Sequence, residues 1–131
     1  MFVSKGKERI MGPGVHGYDV VAYFVDGKSV KGNSDYTVLK DDVYYLFVDE
    51  NHKKLFEANP EKYIPQYDGW CAFGISIGKK ISSDPSVWKI VDGKLYLNLN
   101  EGIQKIWVKD LSGYIKRADA NWFNIKEKDL S

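Results

Sequence analysis

The side chains able to bind a transition metal or to act as a nucleophile are few, because the chain has two histidines and one cysteine. His52 precedes Leu55 and Phe56 by three and four residues in a predicted helix, so it should share their inward face. Cys71 lies in the apolar segment 70–77. Imidazole and thiolate are ligands that suit copper and zinc. These residue types predict a soft-metal site formed by His52 and Cys71.

Two further side chains could bind the metal, and two interpretations other than a metal site are possible for His52 and Cys71. His16, in the loop before the first apolar run, is a third candidate ligand, and Met11 is a weaker one. An inward histidine and a buried cysteine are also ordinary core residues, and no short ligand spacing such as Cys-x-x-Cys occurs. A catalytic Cys–His pair would need a thiolate, whereas the apolar neighbours of Cys71 favour a raised thiol pKa. From residue types alone, the simplest interpretation is that His52 and Cys71 are ordinary core residues. The metal site and the catalytic Cys–His pair stay open.

Turn and strand signals predict antiparallel β-hairpins. The β-branched and aromatic run Val20–Val25 is followed by Asp26-Gly27, a dipeptide typical of two-residue hairpin turns, and by a return strand at 29–31. Three such hairpins predict one antiparallel sheet. The other predicted strand pairs are 36–39 with 43–48, and 88–91 with 95–99.

Helices are predicted between and after the hairpins. Asp49 is placed as the N-cap of a helix that ends at Asn59-Pro60, and Asn100 as the N-cap of a later one. The other predicted helices are a short turn from Pro60, the segment 70–77 and a final helix that includes Trp122. The expected fold class is α+β, a single domain with an antiparallel sheet of hairpins and packed helices. No internal repeat is evident.

Length and composition limit the number of domains and the classes of function that the chain can have. A chain of 131 residues with 44% hydrophobic residues fits one domain with a proper core, and one cysteine excludes an internal disulfide. A formal net charge of +1 gives little attraction for nucleic acid, and no apolar run is long enough to span a membrane. We divide the chain into a flexible N-terminal arm (1–16), one domain (17–123) and a charged C-terminal tail (124–131).

An ordered series of motifs across residues 17–123 resembles the YHS-domain family, in its stand-alone, exported bacterial form. The metal-associated members carry Phe-Cys-Ser-x-x-Cys-x-x-x-Phe, and the same frame here runs from Phe47 to Phe56. Val48 stands at its first cysteine and His52 at its second, so His52 is the one ligand position that survives. The matching segments are GYDVVAYF from Gly17, YYLF from Tyr44, NPEKY from Asn59, GWCA from Gly69, VDGKLYLN from Val91 and ADANW from Ala118.

The resemblance implies a non-enzymatic module that binds copper or zinc for sensing, buffering or delivery. Its expected ligands are His52, Cys71 and His16, and its expected partners are a metal ion or a small ligand rather than nucleic acid. The resemblance also implies export to the periplasm after removal of a signal peptide, with the cytoplasm as the alternative. Two other functions stay open: a metal-free module that binds a small ligand or a protein in an aromatic cleft, and a Cys-dependent enzyme.

Overall fold

The computed structural model describes residues 14–126, which form six α-helices and four β-strands. The α+β class predicted from the sequence is confirmed. Its contacts divide the chain into two compact units, Met1–Ile64 and Pro65–Ser131. Most of the predicted N-terminal arm, with Met11, lies outside the described residues, as do residues 127–131 of the predicted tail. No helix within residues 14–126 has the length and apolar character needed to cross a membrane.

The first unit is built around one antiparallel hairpin. Its turn residues Asp41 and Asp42 both have positive φ (52° and 69°), as a type I′ turn requires. Phe47 and Phe56 are fully buried with ring centroids 5.1 Å apart, and they join the hairpin to the helix that follows it. The elements are a tight turn Gly14–Gly17, α1 (Val20–Val25), β1 (Asn33–Lys40), β2 (Val43–Phe47), α2 (Glu50–Ala58) and α3 (Pro60–Tyr63).

The predicted strand over Val20–Val25 is wrong, because this segment forms helix α1. The carboxylate of Asp19 accepts hydrogen bonds from the N–H groups of Val21 and Ala22, so it caps the first turn. The first four residues of the run are all buried, so the sequence carries no periodicity that would have marked a helix. The predicted return strand at 29–31 is reduced to an isolated bridge between Tyr18 and Lys31.

The second unit repeats the same kinds of element in the same order. The predicted hairpins at 36–48 and 88–99 are both confirmed as antiparallel pairs, and each forms a two-stranded sheet of its own where a single sheet was predicted. The elements are a tight turn Gln66–Gly69, α4 (Ala72–Ser76), β3 (Asp84–Val91), β4 (Lys94–Asn98), α5 (Glu101–Val108) and α6 (Leu111–Ile125).

The two units match residue by residue, which corrects the expectation that the chain has no internal repeat. Equivalent residues lie 52 positions apart up to the first helix, as Gly17 (φ 86°) and Gly69 (φ 90°) do. From Gly27 and Gly78 onward they lie 51 apart. Helix α1 has six residues and α4 has five, which accounts for the change in spacing.

Irregular features of the two hairpins also coincide at this spacing. The pairing register shifts between Asn33 and Thr37 in β1 and between Asp84 and Trp88 in β3. The side chain of Asn33 accepts from the N–H group two residues on at 2.8 Å, and that of Asp84 does the same at 2.9 Å. A shared bulge and shared turns define one structural module present twice.

The helices after each hairpin begin in the same way. Asp49 accepts from the N–H group of His52 at 2.9 Å, and Asn100 accepts from that of Ile103 at 2.8 Å. Both N-caps were predicted correctly from the sequence. The repeat is hard to see in the sequence because equivalent positions more often hold chemically similar residues than identical ones. Identical pairs include Tyr45 and Tyr96, Leu46 and Leu97, Glu50 and Glu101, and Tyr63 and Tyr114.

Candidate functional site

The first unit contains a buried carboxylate–imidazole pair. Helix α2 turns His52 inward, as predicted, and its side chain is 7% exposed. The residue before helix α1 supplies the partner, because Asp19 Oδ2 lies 2.7 Å from His52 Nδ1. A carboxylate oxygen accepts, so Nδ1 carries the hydrogen and donates it to Asp19. The imidazole is therefore held in one orientation by a group in the core.

Four hydrogen bonds from residues within 14–126 explain how the fully buried carboxylate of Asp19 is tolerated. Oδ1 accepts from the N–H groups of Val21 and Ala22 at 2.8 and 3.1 Å. Oδ2 accepts from the N–H group of Val48 at 2.9 Å and from His52. Four donors surround the two oxygens, so the desolvation that opposes burial of a charge is offset by charge-assisted hydrogen bonds.

The other end of the imidazole faces a second carboxylate. His52 Nε2 lies 3.7 Å from Asp26 Oδ2, a separation too long for a hydrogen bond. The Asp26 side chain is 37% exposed, so the imidazole reaches from the core of the first unit to its surface. With Nδ1 engaged by Asp19, Nε2 is the ring nitrogen left to contact a ligand.

Cys71 lies in the second unit, where its thiol belongs to a different network. Sγ accepts from the N–H group of Leu99 at 3.2 Å and lies 3.5 Å from Asn98 Oδ1. Burial raises the pKa of the Cys71 thiol above its ordinary value, and the backbone N–H groups around the sulfur offset only part of this rise. The residue therefore stays a neutral thiol at neutral pH, whereas metal ligation and nucleophilic attack both require the thiolate.

His16 is exposed and has a left-handed backbone (φ 55°) in the turn before α1. Within residues 14–126, no three side chains of His, Cys, Asp or Glu are arranged to hold a metal ion together. The predicted ligand set of His52, Cys71 and His16 stays a prediction. Met11 lies outside the described residues.

Sequence reasoning missed both carboxylates that flank His52. Asp19 directly precedes an apolar run, which is the position of a helix N-cap, but the run was interpreted as a strand. Asp26 was assigned to a hairpin turn and instead ends helix α1. A helical interpretation of Val20–Val25 would have identified the capping role of Asp19, although its contact with His52, 33 residues away, has no local signal.

Comparison with protein families, with characterised proteins and with solved structures finds no match to this chain. The resemblance to YHS domains therefore stays a prediction, and functional inference depends on the geometry of the two units.

Proposed function

We propose that the first unit binds a transition-metal ion, Cu(II) or Zn(II), through His52 Nε2 and the carboxylate of Asp26, without catalysing a reaction. The observation that carries the proposal is the 2.7 Å hydrogen bond from His52 Nδ1 to Asp19. Metal-binding histidines commonly donate their second ring nitrogen to a carboxylate, which fixes the tautomer and raises the basicity of the ligating nitrogen. Asp19 would fill this supporting role.

The spacing of the two donor atoms suits a shared ion. Two ligands of a tetrahedral ion at about 2.1 Å lie roughly 3.4 Å apart. Nε2 of His52 and Oδ2 of Asp26 are 3.7 Å apart, so a small side-chain rotation of the half-exposed Asp26 brings both within bonding distance. A nitrogen and an oxygen donor favour Cu(II) or Zn(II) over Cu(I), which prefers sulfur.

Two protein donors leave most of the coordination sphere to water or to another molecule. Structural zinc sites are closed by four protein ligands, whereas this site would be open and exchangeable. An open site at the surface end of a fixed imidazole suits reversible uptake and release. We therefore assign the role to buffering or delivery of the ion rather than to stabilisation of the fold.

The second unit supports the view that the imidazole is not needed for folding. Ile103 stands where His52 stands in the first unit, 51 residues earlier, and both follow an N-cap that binds their N–H groups. The same elements form around a side chain with no polar atom. The Asp19–His52 pair is therefore an addition specific to the first unit.

Isothermal titration of untagged protein with Zn(II) and with Cu(II) tests the proposal. Asp26→Asn should weaken binding at least about tenfold, because it removes a charged ligand without disturbing the core. His52→Gln should abolish binding, since its amide N–H group can replace the donor to Asp19 but offers no imidazole. Asp35→Asn, an exposed carboxylate on β1, is the matched control and should bind like wild type.

Equal affinity in wild type, Asp26→Asn and His52→Gln would refute this site. Cys71→Ser and His16→Asn test the other two ligands that the sequence predicts. A loss of affinity in these variants but not in Asp26→Asn would assign the ion to the predicted sulfur-containing set instead.

A second candidate is a metal-free interaction module. Leu39 and Tyr44 are direct cross-strand partners on the first hairpin and are 56% and 48% exposed, so the strand pair carries an apolar surface. This alternative predicts no change in melting temperature on addition of metal. A metal at 100 times its Kd should instead stabilise the protein by about 2.7 kcal/mol.

A further inference from the structure

A buried phenol of the second unit is hydrogen-bonded to a carboxylate at the surface. The hydroxyl group of Tyr67, in the tight turn Gln66–Gly69, donates to Oδ1 of Asp119, in helix α6, at 2.8 Å. Tyr67 is 4% exposed, whereas Asp119 is exposed. Burial and this hydrogen bond raise the pKa of Tyr67, so the phenol stays neutral at neutral pH. Its proton is held between the phenol oxygen and a carboxylate that can accept it.

An indole ring lies against the same phenol. The ring centroids of Trp122 and Tyr67 are 6.0 Å apart, in an edge-to-face arrangement. Trp122 is half-buried, so it is the ring of this pair that a small molecule in solution can reach. Indole and phenol are the aromatic side chains that lose one electron most readily, and electrons pass rapidly between rings in contact. The pair therefore connects the surface of the second unit to a buried oxidisable group.

The charges beside the two rings differ in sign and give the electron transfer a direction. The ammonium group of Lys80 lies over the Trp122 ring, 5.7 Å from its centroid, and it opposes a second positive charge on that indole. The carboxylate of Asp119 at the Tyr67 hydroxyl group favours positive charge there and accepts the proton of an oxidised phenol. Oxidation of Trp122 is therefore followed favourably by transfer of an electron from Tyr67 to the indole.

The first unit forms the same turn without a phenol. Val15 is the equivalent of Tyr67, and both residues have a left-handed backbone (φ 53° and 59°). Helix α3 ends at Tyr63, the equivalent of Tyr114, so the part of α6 that carries Asp119 and Trp122 has no counterpart in the first unit. The shared turn thus forms without these side chains, and their arrangement is specific to the second unit.

We propose that Trp122, Tyr67 and Asp119 form a one-electron relay that converts oxidation at the surface of the second unit into a buried tyrosyl radical at Tyr67. The co-reactant is a small oxidising radical, which takes one electron from the Trp122 indole and leaves as its reduced anion. One electron then passes from Tyr67 to Trp122, and the phenol proton passes to Asp119 Oδ1. The indole is restored, and the products are a neutral phenoxyl radical and a neutral carboxyl group.

Tyr96 contacts Tyr67 but lacks the proton acceptor that makes Tyr67 the end of the relay. Its ring centroid lies 5.9 Å from that of Tyr67, and the residue is 3% exposed. Among residues 14–126, no carboxylate accepts a hydrogen bond from its hydroxyl group. A buried phenol that loses an electron without its proton carries an uncompensated positive charge, which is unfavourable away from water. The radical is therefore held at Tyr67.

Pulse radiolysis with azide radicals, which oxidise tryptophan faster than tyrosine at neutral pH, tests the relay on the metal-free, untagged chain. The tryptophanyl absorption should decay into tyrosyl absorption in a phase whose rate does not depend on protein concentration and is lower in D₂O. Tyr67→Phe and Trp122→Phe should each remove this phase. Asp119→Asn should slow it at least about tenfold, because an amide oxygen accepts the hydrogen bond but not the proton.

Tyr96→Phe is the matched control, since it removes a phenol that is equally buried and in contact with Tyr67, and it should retain the wild-type phase. A phase of wild-type rate and amplitude in Tyr67→Phe or in Asp119→Asn would overturn the proposal. Equal rates in H₂O and D₂O would overturn it as well, and that comparison uses the wild-type chain alone. The relay does not depend on metal binding in the first unit.

Discussion

Asp19 and Cys71 occupy equivalent positions in the two units, and each accepts a hydrogen bond from the backbone N–H group directly after its hairpin. Val48 N–H donates to Asp19 Oδ2 at 2.9 Å, and Leu99 N–H donates to Cys71 Sγ at 3.2 Å. Asp19 performs this task together with the capping of α1, whereas the second unit divides the two tasks between Cys71 and Asn98. An acceptor therefore occupies this position in both units, as a carboxylate in the first and as a sulfur in the second.

The equivalence of Asp19 and Cys71 predicts that an introduced histidine can stabilise an introduced aspartate in the second unit. Cys71→Asp alone should destabilise the protein by about 3 kcal/mol or more, since it buries a carboxylate without a cationic or imidazole partner. Adding Ile103→His should recover roughly 1–3 kcal/mol, because position 103 corresponds to His52. Urea denaturation of the four variants of this double-mutant cycle measures the coupling.

Ile106→His is the matched control, because position 106 lies on the same helix and is 43% exposed. It should give no recovery of the Cys71→Asp variant. Simple additivity of Cys71→Asp and Ile103→His would show that the two units do not place these positions alike.

Asp19→Asn should lower the free energy of unfolding by about 2–3 kcal/mol. The asparagine keeps the shape of the side chain, but one of its two ends becomes an NH₂ group that faces backbone N–H donors. Chemical denaturation followed by far-UV circular dichroism measures the change. Asp42→Asn, at an exposed turn position with positive φ that asparagine tolerates, should stay within about 0.5 kcal/mol of wild type. A stability of Asp19→Asn equal to that control would contradict the structural role of the carboxylate.

Stability should decrease as the pH rises above about 9 to 10. Burial is the main cause that raises the pKa of Tyr67, Tyr96 and Cys71, and the hydrogen bond that Tyr67 donates to Asp119 raises the pKa of Tyr67 further. These groups stay protonated in the folded chain while the unfolded chain releases their protons near the ordinary values. Each such group then lowers the free energy of unfolding by up to about 1.4 kcal/mol per pH unit until its folded pKa is reached.

Tyr67→Phe isolates one of these contributions. Its free energy of unfolding should fall less steeply than that of wild type between pH 10 and 11, by about 1 kcal/mol over this interval, because the unfolded phenol is only half ionised at pH 10. Tyr44→Phe removes the hydroxyl of a tyrosine that is 48% exposed and should retain the wild-type slope. Equal slopes in wild type and Tyr67→Phe would exclude a folded-state effect on this phenol.

Local signals predicted the parts of the fold that local interactions determine. The N-caps Asp49 and Asn100 and the turn at Asp92-Gly93 were identified correctly, because each depends on residues within three positions in the chain. Val20–Val25 was misassigned because β-branched residues favour strands, whereas the burial of its first four residues and the cap from Asp19 override that preference. The strand propensity of individual residues therefore has little influence on secondary structure where tertiary contacts dominate.

The candidate site was predicted only in part. The inward face of His52 follows from its spacing to Leu55 and Phe56, and the burial of Cys71 follows from its apolar neighbours. The partners of His52 cannot be obtained this way, because Asp19 reaches it through the packing of elements that are distant in sequence. The repeat was missed for a related reason. Positions such as Phe56 and Trp107 preserve a buried aromatic contact without preserving the residue.

Two hairpins with one register and one bulge position also create a hazard while the chain is being synthesised. Strand β1 becomes available first, and β4 offers it the same backbone pairing as its proper partner β2. Mispairing between neighbouring modules is a characteristic failure of chains that contain similar tandem units. The side chains must therefore discriminate, and they differ at the relevant cross-strand pairs: Leu39 faces Tyr44 in one hairpin, and Ile90 faces Leu95 in the other. The side-chain differences between the copies are the feature of the two hairpins that can distinguish the correct strand partner from the wrong one.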